Sequence, residues 1–309
     1  MTSRGIYITA NDKVLDHAIA CLNSIRAHDP SIAVMLIPYS DDYHQVAEVL
    51  GRDYGVEVYP DLEFIQRLSE NLHSIFGEGF FARPNTFRKQ ACWFGPFDRF
   101  LYIDTDVVVF SAIANVLDHL DNHDFISYDY QHRGGIHNVF GSAVVDQGVF
   151  TSAELSDVFN TGFWASKGRL LTEPDLYEVF KECAAHPDYF DFSEKTSDQP
   201  IINYLILKRV ARRFNFVRQP GGGPGNWAGS PHFVQAGMTL VDPNVNKPLD
   251  YLHWAGYRIQ PGCPYWDIWA HYRYLRDPDS RPVKVLTAAP SPMKTLSRKA
   301  KKLLSRLGK

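Results

Sequence analysis

Along its first hundred positions the chain alternates between short apolar runs and stretches in which apolar residues recur every three or four positions. The apolar runs have the length and β-branched content of buried strands and cover residues 5–10, 32–37, 56–59 and 99–104. The periodic stretches predict helices over residues 14–25, 41–52, 61–76 and 85–94. Strands that alternate with helices form βαβ units, so the sequence predicts an α/β fold with a mostly parallel central sheet.

In an open sheet of this kind, ligands bind beyond the carboxyl ends of the strands. The loops that follow Thr9 and Ile103 are therefore where chemistry is expected. The second half is less regular, and residues 132–148 and 219–237 are rich in Gly, Asn and His, as in disordered segments or functional lids that cover an acceptor. We predict one domain over residues 1–275, followed by a basic tail over residues 276–309.

Composition narrows the class of protein. With 309 residues, of which 45% are hydrophobic, the chain is long enough for a substantial core, and disordered, collagen-like and disulfide-stapled classes are excluded. The four cysteines lie far apart without a metal-ligand spacing, which predicts reduced, mostly buried thiols. No apolar run approaches the ~18 residues of a membrane span. We expect a cytoplasmic protein.

Charge is distributed unevenly. Seven of the 32 basic residues lie in the last nineteen positions, which leaves 25 basic against 35 acidic residues elsewhere. So acidic a body argues against nucleic acid as a partner. In the tail, Leu296, Ala300 and Leu303 share one helical face, opposite most of the basic residues. This pattern favours peripheral contact with the inner face of a membrane, and a disordered solubilising tail is the alternative.

The chemical signal with the clearest placement is FLYIDTDVVVF, where Asp104 and Asp106 flank Thr105 at the end of a predicted strand. Residues two apart in an extended chain point to the same side. Paired carboxylates at a strand end suit a divalent cation that bridges to phosphate oxygens. The alternative interpretation is a pair of solvated turn residues.

Five segments, one of which contains Asp104 and Asp106, occur in a characteristic order, and together they span about residues 5–256. They are IYITANDKVLDHAIACLNSI, KQACWFGPFDRFLYIDTD, FNTGFWAS, SDQPIINY and LHWAG. In this order they resemble the nucleotide loop, the donor-binding lysine with its Asp-x-Asp, the Phe-Asn-small-Gly motif, the Asp-Gln helix start and the closing motif of GT-A-fold glycosyltransferases of family 8. That family includes glycogenin and bacterial lipopolysaccharide galactosyltransferases, and it implies a GT-A fold.

The resemblance implies a ligand set. Asp104, Asp106 and His253 would bind Mn²⁺ or Mg²⁺, and a nitrogen ligand beside carboxylates favours Mn²⁺. The donor nucleotide would be held by residues at four places along the chain: Thr9, Ala10 and Asn11; Arg88 or Lys89; Thr105; and Gly256 with Arg258. Taken alone, His253 is more typical of a buried core histidine.

The same resemblance places the sugar. Asn160 and Gly162 would border it, Asp198 would bind its hydroxyls, and Gln199 would lie near the anomeric carbon, which makes Asp198 and Gln199 the candidate catalytic residues. An oxocarbenium-like centre needs nearby oxygen dipoles, which a carboxylate and an amide supply. Two structural alternatives stay open: Asp198 as a helix cap, and Asn160 in an ordinary turn.

Two departures from the family pattern concern the donor. The lysine that usually follows the closing motif is absent, with Arg258 as a candidate substitute, and Val14 stands where an aromatic often stacks on uracil. The leading hypothesis is a retaining hexosyltransferase that uses a nucleotide-diphosphate sugar, with UDP as the expected nucleotide, and a glycan or lipid-linked acceptor. The alternatives are a non-catalytic nucleotide-sugar-binding module and, less favoured, a nucleotidyltransferase.

Overall fold

The computed structural model describes residues 3–128 and 138–282. The chain divides into one compact unit over Met1–Arg276 and a second over Asp277–Lys309. Of the second unit, the described part holds a single 3-10 turn, Pro278–Ser280. The predicted amphipathic tail, and the first part of the loop over residues 132–148, lie outside the described residues.

The first half of the chain builds four parallel strands with helices between them. The strands are β1 (Arg4–Ala10), β2 (Ala33–Pro38), β3 (Glu57–Val58) and β4 (Arg99–Asp104). The helices are α1 (Leu15–His28), α2 (His44–Tyr54) and α3 (Leu62–Ser74). β1 pairs in parallel with β2 on one side and with β4 on the other, so their carboxyl ends meet at one edge.

The second half extends this sheet and adds two smaller ones. Further strands are β5 (Val107–Val109), β6 (Phe125–Ser127), β7 (Phe163–Lys167) and β8 (Arg213–Asn215). The seven-stranded sheet has the order β3-β2-β1-β4-β7-β6-β8, in which only β7 runs antiparallel to its neighbours. The prediction of a mixed α/β fold with a mostly parallel central sheet is confirmed.

The remaining strands form the two small sheets, and the remaining helices surround the large one. The strands are β9 (Val234–Ala236), β10 (Thr239–Asp242), β11 (Lys247–Pro248) and β12 (Tyr251–His253). β12 pairs with β5, and β9 to β11 form a separate three-stranded sheet. The helices are α4 (Ala143–Asp146), α5 (Ser152–Leu155), α6 (Glu173–Ala185), α7 (Asp198–Arg209) and α8 (Trp266–Arg273).

Strand alternation divides the core into layers. Tyr7 and Tyr102 point to one face of the large sheet, where they join Trp93 and Trp164, whereas Ile6 and Ile8 point to the other face. A third cluster lies under α8 and includes Trp254 and Trp269, so most of the aromatic residues over 251–274 belong to the core. Of the four cysteines, all unpaired, three are buried and Cys263 is half-buried.

Two predicted helices differ from what the periodicity suggested. α2 begins at His44 rather than Asp41, because Asp12 supplies the first turn with an acceptor: its carboxylate receives the backbone N–H of Val46 at 2.8 Å. The helix predicted over residues 85–94 is present as a 3-10 helix, Pro84–Phe94, whose residues from 87 to 93 are all buried. Packing on all sides therefore overrides local helical preference there.

Across the two described ranges, we find no helix that combines the length and the hydrophobicity needed to cross a bilayer.

Candidate active site

Two antiparallel strands bring the central residues of the site together. Asp104 ends β4, and Thr105 and Asp106 turn the chain into β5. β5 pairs with β12 so that Val107 faces His253, and the backbone N–H of Trp254 donates to the carbonyl of Asp106 at 3.0 Å. Residues nearly half the chain apart thus form one corner.

At this corner the ligand atoms of Asp104, Asp106 and His253 all lie within 4.8 Å of one another. His253 Nε2 is 3.1 Å from Asp106 Oδ1. The His253 side chain is almost fully enclosed, with the residue 4% exposed, whereas both carboxylates reach solvent with about a third of their surface. The arrangement is open on the carboxylate side.

Gly162 completes the corner through its lack of a side chain. A Cβ built on Gly162 would lie 2.2 Å from His253 Cε1 and 2.9 Å from both His253 Nε2 and Asp104 Oδ2. The Gly162 carbonyl accepts the backbone N–H of Asp104 at 2.8 Å, and its own N–H donates to Asn160 Oδ1 at 3.0 Å. Asn160 therefore does form a local turn, and that turn presses a bare backbone against the cluster.

A second group of charges adjoins the first. Lys89 Nζ donates to Asp198 Oδ2 at 2.8 Å and lies 3.6 Å from Asp104 Oδ1. Asp198 Oδ2 also accepts from the Thr161 hydroxyl at 3.2 Å. Asp198 is the first residue of α7, and no side-chain cap bond is formed by Ser197 before it. The Asp198 carboxylate therefore faces across the site instead of acting only as a helix cap.

Burial and these ion pairs determine which groups are charged. Burial by itself would lower the pKa of Lys89, but Asp104 and Asp198 raise it well above its usual value. Burial would raise the pKa of Asp198, yet Lys89 more than offsets this and lowers it. Lys89 and Asp198 therefore form an ionised pair at neutral pH.

The pKa values of the metal-ligand candidates move in different directions. Burial raises the pKa of Asp104, with the Lys89 ammonium opposing the rise. For Asp106, burial would raise the pKa, but the charge of His253 outweighs it and the net pKa is lowered. For His253, burial would lower the pKa, but Asp106 raises it above the usual value. An imidazole that bound a cation here would have to release this proton.

The chemistry of the donors fits a divalent cation. The corner offers two carboxylates and one imidazole nitrogen, a set that suits Mn²⁺ better than Mg²⁺ because the nitrogen is a softer ligand than oxygen. The bare backbone of Gly162 keeps the space beside His253 Nε2 and Asp104 Oδ2 free of a side chain. Asp104, Asp106 and His253 are therefore the residues that would hold the ion.

The residues predicted to hold the nucleotide, Thr9, Ala10 and Asn11, occupy the adjoining edge of the sheet. Thr9 lies beside Asp104 in the β1–β4 register. Ala10 is fully buried at the end of β1. The Asn11 amide donates to Ser40 Oγ at 3.1 Å, and Asn11 Oδ1 accepts from the backbone of Lys13.

Arg88 and Lys89, which the sequence left as alternatives, point to different places. Lys89 enters the charged cluster, whereas Arg88 pairs with Asp41 at 3.0 Å and donates to the carbonyl of Pro38 at 3.3 Å. Arg88 thus holds the loop after β2, whose Ser40 in turn contacts Asn11.

The other predicted residues lie in α7, in the turn after β4, and in the exposed segment 256–258 after β12, here called the rim. Gln199 donates to the carbonyl of Asn138 at 3.4 Å, and Thr105 is buried in the turn. Gly256 has φ +75°, in the left-handed region that favours glycine, and adjoins the exposed Tyr257 and Arg258.

Part of the glycine-rich segment over residues 219–237 pairs with the strand that carries His253. Trp227 pairs with His253 as an isolated parallel bridge: the His253 N–H donates to Asn226, and the Ala228 N–H donates to His253. Residues 223–226 are buried. This part supports the strand that carries His253, whereas Pro220, Gly221 and the hairpin around Gly237 are exposed.

Two contact residues escaped the sequence analysis. Tyr102 Oη is 2.7 Å from Asp104 Oδ1 and 3.1 Å from Thr9 Oγ1, and Thr161 contacts Asp198. The sequence position of each residue could have predicted its contact. Tyr102 precedes Asp104 by two residues in a strand and so shares its face. Thr161 lies between two residues that were already assigned to the sugar.

No family model matches the chain, and no curated protein matches its sequence. Solved structures do match. LgtC, a galactosyltransferase solved in complex with donor and acceptor sugar analogues, gives a TM-score of 0.59 at 14% identity over 94% of this chain and 99% of LgtC. The bifunctional glycosyltransferase WbbM gives 0.59 at 13% identity over 88% of this chain, which spans only 50% of the WbbM chain.

These likenesses define the class of fold: the chain has the GT-A glycosyltransferase fold. An active-site mutant of LgtC matches similarly, with a TM-score of 0.57 at 14% identity over 93% of this chain and 98% of that one. The resemblance inferred from the motifs is thereby confirmed at the level of the fold. Over nearly the full length of both chains, the protein is similar to LgtC.

Proposed function

We propose that this protein is a metal-dependent glycosyltransferase that moves a hexose from a nucleotide-diphosphate sugar to a glycan or lipid-linked acceptor. One observation carries the proposal: on a GT-A fold, the Asp104–Asp106–His253 cluster adjoins the Lys89–Asp198 ion pair at the carboxyl end of β4. A candidate metal-ligand set thus adjoins a carboxylate that could bind sugar hydroxyls, and transfer from a sugar diphosphate would need both.

Departure of the nucleotide leaves negative charge on its diphosphate, and a divalent cation, when bound, neutralises that charge. Lys89 is a fixed, desolvated cation beside Asp104, so it adds positive charge at the same place. Asp198 is held by Lys89 and Thr161 and presents a carboxylate to sugar hydroxyls. Gln199, next in α7, supplies an amide dipole near the anomeric carbon.

The finer features of the donor rest on the family resemblance. UDP is the expected nucleotide, Mn²⁺ the expected ion, and retention the expected stereochemistry. The active-site mutant of LgtC replaces a glutamine with glutamate, which supports a glutamine, here Gln199, as part of the proposed active site. Arg258 is exposed on the rim and stands in for the absent lysine as a contact to the diphosphate.

The first experiment measures thermal unfolding of the full chain with UDP, GDP, CDP and dTDP, each with and without Mn²⁺. A ligand at about 100 times its Kd stabilises the protein by about 2.7 kcal/mol, a shift of a few degrees. We expect stabilisation by UDP that requires Mn²⁺ and is lost in D104N/D106N. Absence of a shift with every nucleotide would contradict the proposal.

Turnover separates an enzyme from a binding module. With the matching nucleotide sugars, release of the nucleoside diphosphate shows transfer or hydrolysis, and NMR of the product gives its anomeric configuration. Binding without release in the presence of glycan and lipid-linked acceptors would favour a non-catalytic nucleotide-sugar-binding module. Inversion at the anomeric carbon would contradict the retaining mechanism and leave the transferase assignment intact.

A further inference from the structure

Asp104 has two carboxylate oxygens in different surroundings. Oδ1 is 2.7 Å from the Tyr102 hydroxyl and 3.6 Å from Lys89 Nζ. Oδ2 is on the side of Gly162 and His253, since a Cβ built on Gly162 would be equally close to Oδ2 and to His253 Nε2. One oxygen is therefore engaged by the protein and the other faces the remaining members of the metal-ligand cluster.

The hydrogen-bond direction through Tyr102 follows from proton counting. A carboxylate only accepts, so the single Tyr102 proton is directed to Asp104 Oδ1. Thr9 Oγ1 is 3.1 Å from the same hydroxyl. Because the Tyr102 proton is already directed to Asp104, the Thr9 hydroxyl donates its own proton to Tyr102 Oη. The result is a directed chain from Thr9 to Tyr102 to Asp104, in which each bond polarises the next.

The ring of Tyr102 is held independently of its hydroxyl. It is fully buried, stacks on Trp164 with centroids 5.4 Å apart, and lies 4.9 Å from Lys89 Nζ. These contacts fix where the hydroxyl points. They also mean that replacing Tyr102 with Phe removes one oxygen atom while the packing of the ring is retained.

We propose that Thr9 and Tyr102 form a hydroxyl relay that positions Asp104, holding Oδ1 so that Oδ2 is presented to the divalent cation. The inference rests on the metal site of the proposed function and adds to it two positioning residues. Outer hydrogen-bond partners that orient metal ligands typically account for 10–100-fold in metal affinity. It also gives Thr9 a role apart from nucleoside binding.

The test measures Mn²⁺ affinity of the nucleotide-free protein from the EPR signal of free Mn²⁺. Tyr102→Phe should weaken binding about tenfold, at the lower end of that range, and Thr9→Val, which keeps the side-chain shape and acts one bond further from Asp104, should weaken it by a smaller factor. In the double variant the loss should equal that of Tyr102→Phe alone, because Thr9 then has no hydroxyl to act through. Losses that multiply in the double variant would overturn the relay.

Tyr54→Phe is the matched control, since it removes a buried hydroxyl that bonds Asn23 at 2.9 Å between α1 and α2. Its Mn²⁺ affinity should equal that of the wild type. Unfolding midpoints measured without metal show how much each variant destabilises the fold. If the two variants are equally stable, the relay predicts a larger loss of Mn²⁺ affinity in Tyr102→Phe than in Tyr54→Phe. Equal Mn²⁺ affinity in wild type and Tyr102→Phe would overturn the relay alone, whereas a wild type that binds no Mn²⁺ would overturn the proposed metal site as well.

Discussion

The metal corner and the rim of the same site are built in different ways. At the corner, each of Asp104, Asp106 and His253 is tied to other elements by backbone or side-chain bonds, and the imidazole is enclosed. At the rim, Tyr257 is 37% exposed and Arg258 is also exposed after the left-handed Gly256. Several bonds therefore fix the position of each corner residue, whereas the rim side chains are exposed and can be replaced without disturbing the core. Of the two departures from the family pattern, the missing lysine belongs to the rim, whereas Val14 is half-buried against the core, and neither is a residue of the corner.

The largest effect should come from closing the corner. Gly162→Ala places a methyl group where it would overlap His253 and crowd Asp104 Oδ2, so we expect Mn²⁺ affinity to fall on the order of 100-fold, with transfer activity lost. EPR titration and turnover check this. Gly51→Ala is the control, because its added Cβ meets only Val56 O at an ordinary 3.5 Å in α2, and helix propensity favours alanine. Normal Mn²⁺ binding by Gly162→Ala would show that the corner tolerates change as the rim does.

The next effect concerns the charge that links the two carboxylates. Lys89→Met leaves Asp104 and Asp198 without their cation, and breaking a largely buried pair costs about 3 kcal/mol. Denaturant unfolding at pH 7 measures the loss. The lowered pKa of Asp198 means that the pair stabilises the fold above the ordinary aspartate pKa, and this contribution disappears as pH falls through the lowered value.

The pH profile provides the check on Lys89→Met. The stability difference between wild type and variant should be constant near neutrality and shrink in acid. Lys89→Arg, which keeps the charge, should recover most of the stability. A difference that stays the same from pH 7 into strong acid would contradict the ion-pair explanation and point to lost packing of the lysine stem.

A smaller effect is expected at the rim. Arg258 is exposed, so Arg258→Ala should leave the unfolding midpoint unchanged and raise the KM for the donor about tenfold through loss of one charge-assisted contact to the diphosphate. Steady-state kinetics at several donor concentrations test this. An unchanged KM would mean that Arg258 does not replace the missing lysine.

The smallest effect concerns the strand pair that carries His253. Burial raises the pKa of Asp250, although Ser111 and Tyr128 donate to it, so its ionisation opposes folding at neutral pH. Asp250→Asn should stabilise the protein by about 0.5–1 kcal/mol at pH 7. A carboxyl group whose pKa is raised in the folded state makes the fold more stable as pH falls. The free energy of unfolding of the wild type should therefore approach that of the variant in acid. Thermal unfolding at pH 7 and pH 4 tests both statements.

The sequence predicted the framework better than the contacts. Apolar runs and periodicity located β1, β2 and β4 within a residue or two, because these strands are buried and their patterning reports burial directly. The start of α2 was misplaced because its cap comes from Asp12, far away along the chain. The choice between Arg88 and Lys89 was undetermined for a related reason: in the 3-10 segment adjacent residues point to different elements, and only tertiary packing decides which one reaches Asp198.

His253 reaches the corner from a strand that follows Asp104 and Asp106 by nearly half the length of the chain, and it is held there by Trp227 and its neighbours. During synthesis on a ribosome, the two aspartates therefore emerge long before their third partner exists. The cluster can be completed only after β12 has been made and has paired with β5. Cation binding would then come after translation of the domain, and a truncated chain ending before β12 would expose two carboxylates without the imidazole that completes their site.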